Sequence, residues 1–488
     1  MAFLIGGANS AADTGYSVAN SCMFEGDDSG SYMKKDLDSG TSQKIMTISF
    51  WVKRSGLTSA VNVITDSSDN VGTTYAQIAF NTSDQLDIQF TVSSGSTARI
   101  TTNRIFRDIA AWYNVCVALD TTQSTDTNRL KIYINGTQET SFATSNWPDQ
   151  NIDTQWGNGS GVIWVSSEAS GSSNLELDGY LAEFVYLDGT AASPTSFGEF
   201  NEDSPNIWQP INVSGLTFGN NGFYLDFEDS ANLGNDKNGG TDLTEAGLAA
   251  TNQATDSPTN NFAVINALDN YFQSATMSEG NLLQVSDTYS GGGDGEVSPV
   301  VSTIGVSSGK WYCELKYVST AEHSYGRTGV TSVETVSNSD GGVIGYRSGS
   351  WGMMFNSGHL YDGDGDTPAS PTYHSEIHTG DIVGVYLDLD NNKLYFADNG
   401  TLVTSTGISI TAAASTDLGA YFFGNSDESR NTATFAWNFG GCPAFAISSG
   451  NADANGYGSF EYDPSAGDFD GASKDFLALC TKNLAEEG

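Results

Sequence analysis

With 488 residues, 38% of them hydrophobic and 11% aromatic, the chain can bury the cores of about three domains and is not disordered. Its 59 acids against 19 bases give a net charge of −40, which argues against nucleic acid and anionic membrane surfaces as partners, since both would be repelled. The 55 glycines argue against a helical fold, because each costs ~1 kcal/mol inside a helix; no apolar run nears the ~20 residues of a membrane span.

The first 16 residues hold a four-residue apolar run without a basic flank. They read as an arm and not as a signal peptide, so folding in a reducing cytoplasm is expected. Period-two patterning then dominates. Met46, Ile48, Phe50 and Val52 share one face of IMTISFWVK, with Thr47 and Ser49 on the other. Val115, Val117 and Leu119 alternate in NVCVALD, as do Leu130, Ile132 and Ile134 in RLKIYINGTQ. This is the pattern of half-buried antiparallel strands. Asn135-Gly136 after such a run predicts a two-residue hairpin turn, since both residues accept positive φ. Trp147 and Trp156 lie in SNWPDQNIDTQWGNGSG, a turn-rich stretch off the strands. They are candidate platforms for stacking sugars, the alternative being ordinary packing.

Strand signal thins between residues 201 and 273. GFYLDF there predicts a strand docking on a neighbour, while 230–261 is polar and turn-rich with only Leu and Ala as apolar residues. A polar connector is expected. Strand grammar resumes by Leu282 and includes DIVGVYLDLD, then KLYFADNGTLV with a second Asn-Gly turn at Asn399-Gly400. Both Asn-Gly-Thr runs match the glycosylation sequon, but a chain folding in the cytoplasm would not meet that machinery. Asp362, Asp364 and Asp366 in YDGDGDTPAS are spaced as Ca²⁺ oxygen ligands can be, without the Glu that closes an EF-hand loop; an acidic turn is the alternative. Asp388 and Asp390 should face solvent beside a turn. His374 and His378, on extended chain about 13 Å apart, should be surface histidines rather than a Zn site. None of the five cysteines forms a CxxC pair, so Cys116 and Cys313, inside apolar runs, should be buried free thiols. From Gly450 the tail is rich in Gly, Asp and Ser, and the closing DFLALC should pack back on the second sandwich. The expected fold is all-β, with two antiparallel jelly-roll-type sandwiches. An arm (1–16), a sandwich (17–200), a connector (201–273) and a sandwich with its tail (274–488) follow in order.

MTISFWVKRSG, then WYNVCVALD with RLKIYINGTQ, then LDGYLAEFVYLDGT resemble successive strands of the laminin-G-like, concanavalin-A-like jelly roll. SSGKWYCELKY, GVIGYRSGSWGMMFNSG, TGDIVGVYLDLDNNKLYFADNG and FAWNFGG resemble a SPRY domain, departing at Cys313, where that family has a bulky aromatic. This second resemblance implies binding loops at Tyr346, Trp351, His359 and Tyr361. SFGEFNEDSPNIWQP, NNGFYLDFEDSANLGND, DSPTNNFAVINALDN and DFLALCTKNL resemble structural proteins of marine tailed bacteriophages. That resemblance implies a non-enzymatic virion component, a fibre or surface adhesin, which forms a homo-oligomer or sits in several copies on a larger scaffold, contacts other virion proteins and presents loops to host-surface glycans or a neighbouring subunit. The arm would attach to the particle or add an edge strand. Two rivals stand beside this reading. One is a carbohydrate-active enzyme on host polysaccharide, although the paired-acid strand motif E-x-D-x-x-E is absent from the sequence. The other is a purely architectural capsid or tail decoration protein without a ligand.

Overall fold

Ile45–Arg54, Tyr113–Asp120 and Leu130–Ile134 form adjacent antiparallel strands, as their alternation predicts. The computed structural model describes all residues except 1–3, 6–14, 27–29, 68–74, 92–96, 168–174, 203, 270–274, 287–297, 321–324, 334–342, 364, 366, 428–431 and 472. The chain divides into one unit of residues 11–259 and another of 260–488 joined by 1–10.

In the unit 11–259, two eight-stranded sheets enclose the core. The first runs in the order Thr137–Gln138, Leu130–Ile134, Tyr113–Asp120, Ile45–Arg54, Asp178–Asp188, Ser21–Glu25 and Gln253–Ala254, with Phe223–Leu225 also pairing with Asp178–Asp188. The second runs Phe142–Asn146, Thr97–Ile105, Gln85–Thr91, Tyr75–Phe80, Val61–Ser67, Val162–Val165, Tyr32–Asp36 and Thr244–Ala246. Met46, Ile48, Phe50 and Val52 meet Ile64, Ile78, Ile88 and Ile100 in the core cluster between the sheets. Thr47 and Ser49, expected on a wet face, are buried too. The chain beyond Asp188 covers that face. Thr47 Oγ1 donates to the Thr190 carbonyl at 2.7 Å and accepts from the Ala192 N–H at 2.8 Å. Val185, Leu187, Phe197, Val213, Phe218 and Tyr224 form a second apolar cluster, on that outer side.

The polar stretch expected to be a connector is, as far as Thr259, part of this unit. Thr244–Ala246 extends one sheet and Gln253–Ala254 the other. Strands of two or three residues carry no readable period, and polar contacts hold them. Asp256 buries its carboxylate against Lys53 at 2.6 Å and accepts from Trp112 Nε1 at 3.0 Å. Asp236 accepts from the Tyr224 N–H at 3.0 Å.

The unit 260–488 pairs a nine-stranded sheet centred on Lys310–Thr320 with a five-stranded one centred on Arg327–Thr331. Both faces of the larger sheet are covered. Tyr312, Tyr386 and Tyr395 on its outer side pack against Phe460, Phe469 and Phe476 of the tail, and Leu477–Ala478 pairs in parallel with Trp311 and Tyr312. The buried Glu314 anchors this cover by accepting from the Glu461 and Tyr462 N–H groups at 3.0 and 2.8 Å. Leu4–Ile5 of the arm pairs in parallel with Ile304–Gly305, so this piece of the arm adds a strand to this second unit. The five cysteines are buried as thiols outside any disulfide. Asp388, expected to face solvent, is fully buried: both its oxygens accept from Asn391, at 3.0 and 2.8 Å, closing the turn that follows.

Each Asn-Gly pair forms the expected turn, with φ +46° and +72° at Asn135-Gly136 and +46° and +77° at Asn399-Gly400. In both, the asparagine side chain accepts a backbone N–H from the strand that flanks the hairpin's first strand, from Asn114 at 2.8 Å and from Ile382 at 3.0 Å. In both, an aromatic ring from far downstream lies on the glycine. A Cβ at Gly136 would run into the Trp208 ring, and one at Gly400 into the Tyr462 ring. Gly136→Ala and Gly400→Ala are therefore expected to cost about 1–3 kcal/mol each in thermal denaturation, combining αL strain with lost ring packing.

Candidate functional site

Alternation along the second sheet of residues 11–259 sends one set of side chains into the core and the other outward. Strand pairing lines up the outward set. Asn146, Arg99, Gln89, Gln77, Thr65, Trp164, Lys34 and Thr244 stand opposite one another from strand to strand, crossing the whole sheet. Beside this lane runs a second, of Thr144, Thr101, Asp87, Ala79 and Asn62. The face thus presents amides, hydroxyls, an indole and two cations in register.

Its polar groups are partly organised and partly unpaired. Arg99 grips Asp87 through Nε and Nη2, both at 2.9 Å, and Thr101 donates to the same carboxylate at 2.7 Å. Hydrogen bonding to Asp87 raises the Arg99 pKa. Gln89 Nε2 donates to Tyr75 OH at 2.8 Å. The Trp164 ring sits between Tyr32, 5.1 Å away centroid to centroid, and the Lys34 ammonium, 5.4 Å from the ring centroid. Three atoms on this face are buried without a hydrogen-bond partner: Asn62 Nδ2, Thr65 Oγ1 and Trp164 Nε1. A buried orphan of this kind costs about 1–3 kcal/mol unless a water or a ligand pairs it.

The residues singled out in the sequence fall differently. Trp156 is fully buried in the core and has no face to offer a sugar; the glycine-rich loop around it folds inward instead of displaying it. Below that loop the buried Asp66 accepts from the Gly157 N–H at 3.0 Å, and burial pushes its pKa well up. Trp147 is half-buried, edge-on to Phe142 at 5.5 Å. In the second unit, Tyr346, His359 and Tyr361 gather at one edge of the five-stranded sheet. Gly345 abuts Tyr361, and the Arg327 guanidinium lies 3.9 Å from the Tyr361 ring centroid, leaving Tyr361 buried. Trp351 is not with them: buried, it is edge-on to Tyr421 at 5.7 Å. Of the proposed Ca²⁺ ligands, Asp362 is exposed, and Asp364 and Asp366 lie outside the described residues. Among the described residues no group of three or more His, Cys, Asp or Glu could hold a metal ion. His378 is exposed, but His374 is half-buried with Nε2 3.1 Å from Asp398 Oδ2.

One titratable cluster carries no sequence signal. Glu183 sits at a bulge in Asp178–Asp188 with φ +48°. Its Oε2 accepts from Tyr16 OH at 2.9 Å and Tyr224 OH at 2.8 Å. Burial pushes its carboxyl up to about 7 against the pull of both phenols, with Asp226 and Glu228 adding repulsion. Lys237 pairs with those two acids at 2.6 and 2.7 Å.

The architecture is two all-β sandwiches, one with a polar, partly unsatisfied sheet face. Residues 27–192 match the model of the Concanavalin A-like lectin/glucanases superfamily and residues 304–436 that of the SPRY domain. The chain thus carries a concanavalin A-like domain followed by a SPRY domain. Among solved structures, the SPRY domain of human HERC1 is similar at 16% identity, over 37% of this chain and 99% of that one, with a TM-score of 0.27. A heptameric SAP-like pentraxin of Limulus polyphemus is similar at 14% identity, over 36% and 80%, with a TM-score of 0.27. A Bacteroides ovatus protein described as carbohydrate binding is similar at 15% identity, over 47% and 58%, with a TM-score of 0.32. No curated protein matches the sequence.

Proposed function

We propose that the chain is a non-enzymatic glycan-binding protein whose site is the outward face of the second sheet in residues 11–259. The observation that carries this reading is the lane from Asn146 to Thr244, with Thr65 Oγ1 and Trp164 Nε1 in it and Asn62 Nδ2 in the lane beside it lacking a partner among the described residues. Amides and hydroxyls at strand spacing can meet successive sugar hydroxyls. Seven of the lane's eight residues, all but Thr244, lie within the matched lectin/glucanase-type region 27–192, which supports the reading. A glycosidase needs two carboxyls within about 10 Å across the scissile bond. The carboxylates described on this sheet face are Asp87 and Asp36, on strands four steps apart in the sheet order, or about 19 Å at the usual strand spacing. Asp87 is moreover held by Arg99 and Thr101. Binding without hydrolysis suits this geometry.

The sequence resemblance to phage structural proteins supports placing this binding on a virion, as a fibre or surface component that forms a homo-oligomer and contacts other virion proteins. Screening the chain on a glycan array tests the binding, with the Gln77→Ala/Gln89→Ala double variant as comparison. The wild type should bind and the variant should lose about tenfold or more in affinity, two neutral hydrogen-bonding side chains being worth roughly 1 kcal/mol each. Equal binding by both would move the site off this face.

A further inference from the structure

We infer that this sheet face selects anionic glycans, meeting the carboxylate or sulfate oxygens of sugar units with Lys34 at one end and Arg99 at the other. The inference rests on the glycan-binding reading and adds the ligand class. Donor and acceptor balance is the first reason. Of the unpaired atoms, Trp164 Nε1 and Asn62 Nδ2 can only donate, and Thr65 Oγ1 can do so. The two cations are donors as well. Of the two carboxylates described on this face, Asp87 is already taken up by Arg99 and Thr101, and Asp36 stands at the end of the Lys34 strand, outside the lane. A floor with surplus donors is satisfied by a ligand with surplus acceptors, and an oxyanion supplies the strongest of them.

Charge placement is the second reason. The chain has only 19 basic residues to 59 acids, yet one eight-residue lane contains two of them. Arg99 binds Asp87 through Nε and Nη2, which leaves Nη1 for a ligand, and its side chain is 47% exposed. Lys34 forms no ion pair among the described residues; its ammonium is held over the Trp164 ring. The two cations stand five strand steps apart, about 24 Å at the usual spacing, which is the reach of a short oligosaccharide. The chain's net charge of −40 does not forbid such a ligand. At physiological salt the field of distant carboxylates fades over about 8 Å, so the groups lining the face decide. It does disfavour a dense polyanion such as nucleic acid.

Calorimetry on the full chain with a tetragalacturonate, its methyl ester, a sulfated galactan oligomer and the desulfated oligomer tests the inference. The acid form of at least one pair should bind about tenfold or more tighter than its neutral partner, as hydrogen bonds to charged groups warrant. Which pair discriminates identifies carboxylate or sulfate as the source. Lys34→Met, which keeps an aliphatic chain over Trp164, should bring that ratio close to one. Equal binding of acid and neutral forms, or a ratio untouched by Lys34→Met, would overturn the anionic preference and leave the glycan reading standing. Failure of all four oligomers to bind, repeated on an array of neutral glycans, would overturn both.

Discussion

Asp256→Ala is expected to destabilise residues 11–259 by about 3–5 kcal/mol, the usual cost of stranding one member of a buried ion pair. Lys53 and Asp256 are each about 1% exposed, and their 2.6 Å contact joins a strand of the first sheet to the last turn of chain before Thr259. Without the carboxylate, the Lys53 ammonium loses its counter-charge and the Trp112 indole its acceptor. Urea unfolding measures the loss. The Lys53→Met/Asp256→Leu double variant should recover most of it, since an apolar pair of similar volume avoids the desolvation cost. A single-variant loss below about 1 kcal/mol would mean that the segment 201–259 rests on the sandwich without supporting it.

Glu183 predicts a pH dependence of opposite sense to ordinary acid denaturation. Its carboxyl titrates at about 7 in the fold against 4.5 unfolded, so the folded state holds its proton more tightly. The stabilisation is fully present below pH 4.5 and is lost as pH rises through 7. The difference corresponds to about 3 kcal/mol at most. The groups facing it are Tyr16, Tyr224, Asp226 and Glu228, the last two paired with Lys237. Unfolding free energy measured between pH 5 and 8.5 should fall in the wild type. The Glu183→Gln variant, which keeps the shape and stays neutral, should show a flatter profile over that range. Matching slopes would mean that the carboxyl is ionised throughout.

Strand patterns were legible wherever one face met the core over five or more residues, as in Ile45–Arg54 and Ile382–Asp388. What escaped was whatever depended on a second layer. Thr47 and Ser49 look solvent-facing because nothing local announces that residues 190–218 will cover them. Asp388 looks exposed for the same reason, although the Asn391 that caps it is three residues away. The stretch 230–259 looks like a linker because its strands are too short for a period, and its anchors, Asp236 and Asp256, are single polar residues. The site was less legible than the fold. Trp156 stood out for its turn-rich surroundings, which turned out to be a loop packed inward. Gln77, Gln89 and Thr65 did not stand out, because polar residues at alternate positions are what any half-wet strand carries. The Trp at position 164, outward-facing in the otherwise aliphatic VIWV, was the one local mark of the lane.

The rings on the two Asn-Gly turns also set an order of events. An Asn-Gly hairpin closes locally and early, within microseconds of its strands becoming available. Trp208 and Tyr462, however, are 72 and 62 residues further along than the glycines they cover. Each hairpin can therefore form while the chain is still short but is locked only after a long loop has closed over it, a step that loop entropy makes slow. A chain stopped before residue 208 would carry the first turn fully formed and uncovered. Locking of the first hairpin is thus timed by a ring that arrives long after the turn itself, and the second hairpin repeats the arrangement with Tyr462.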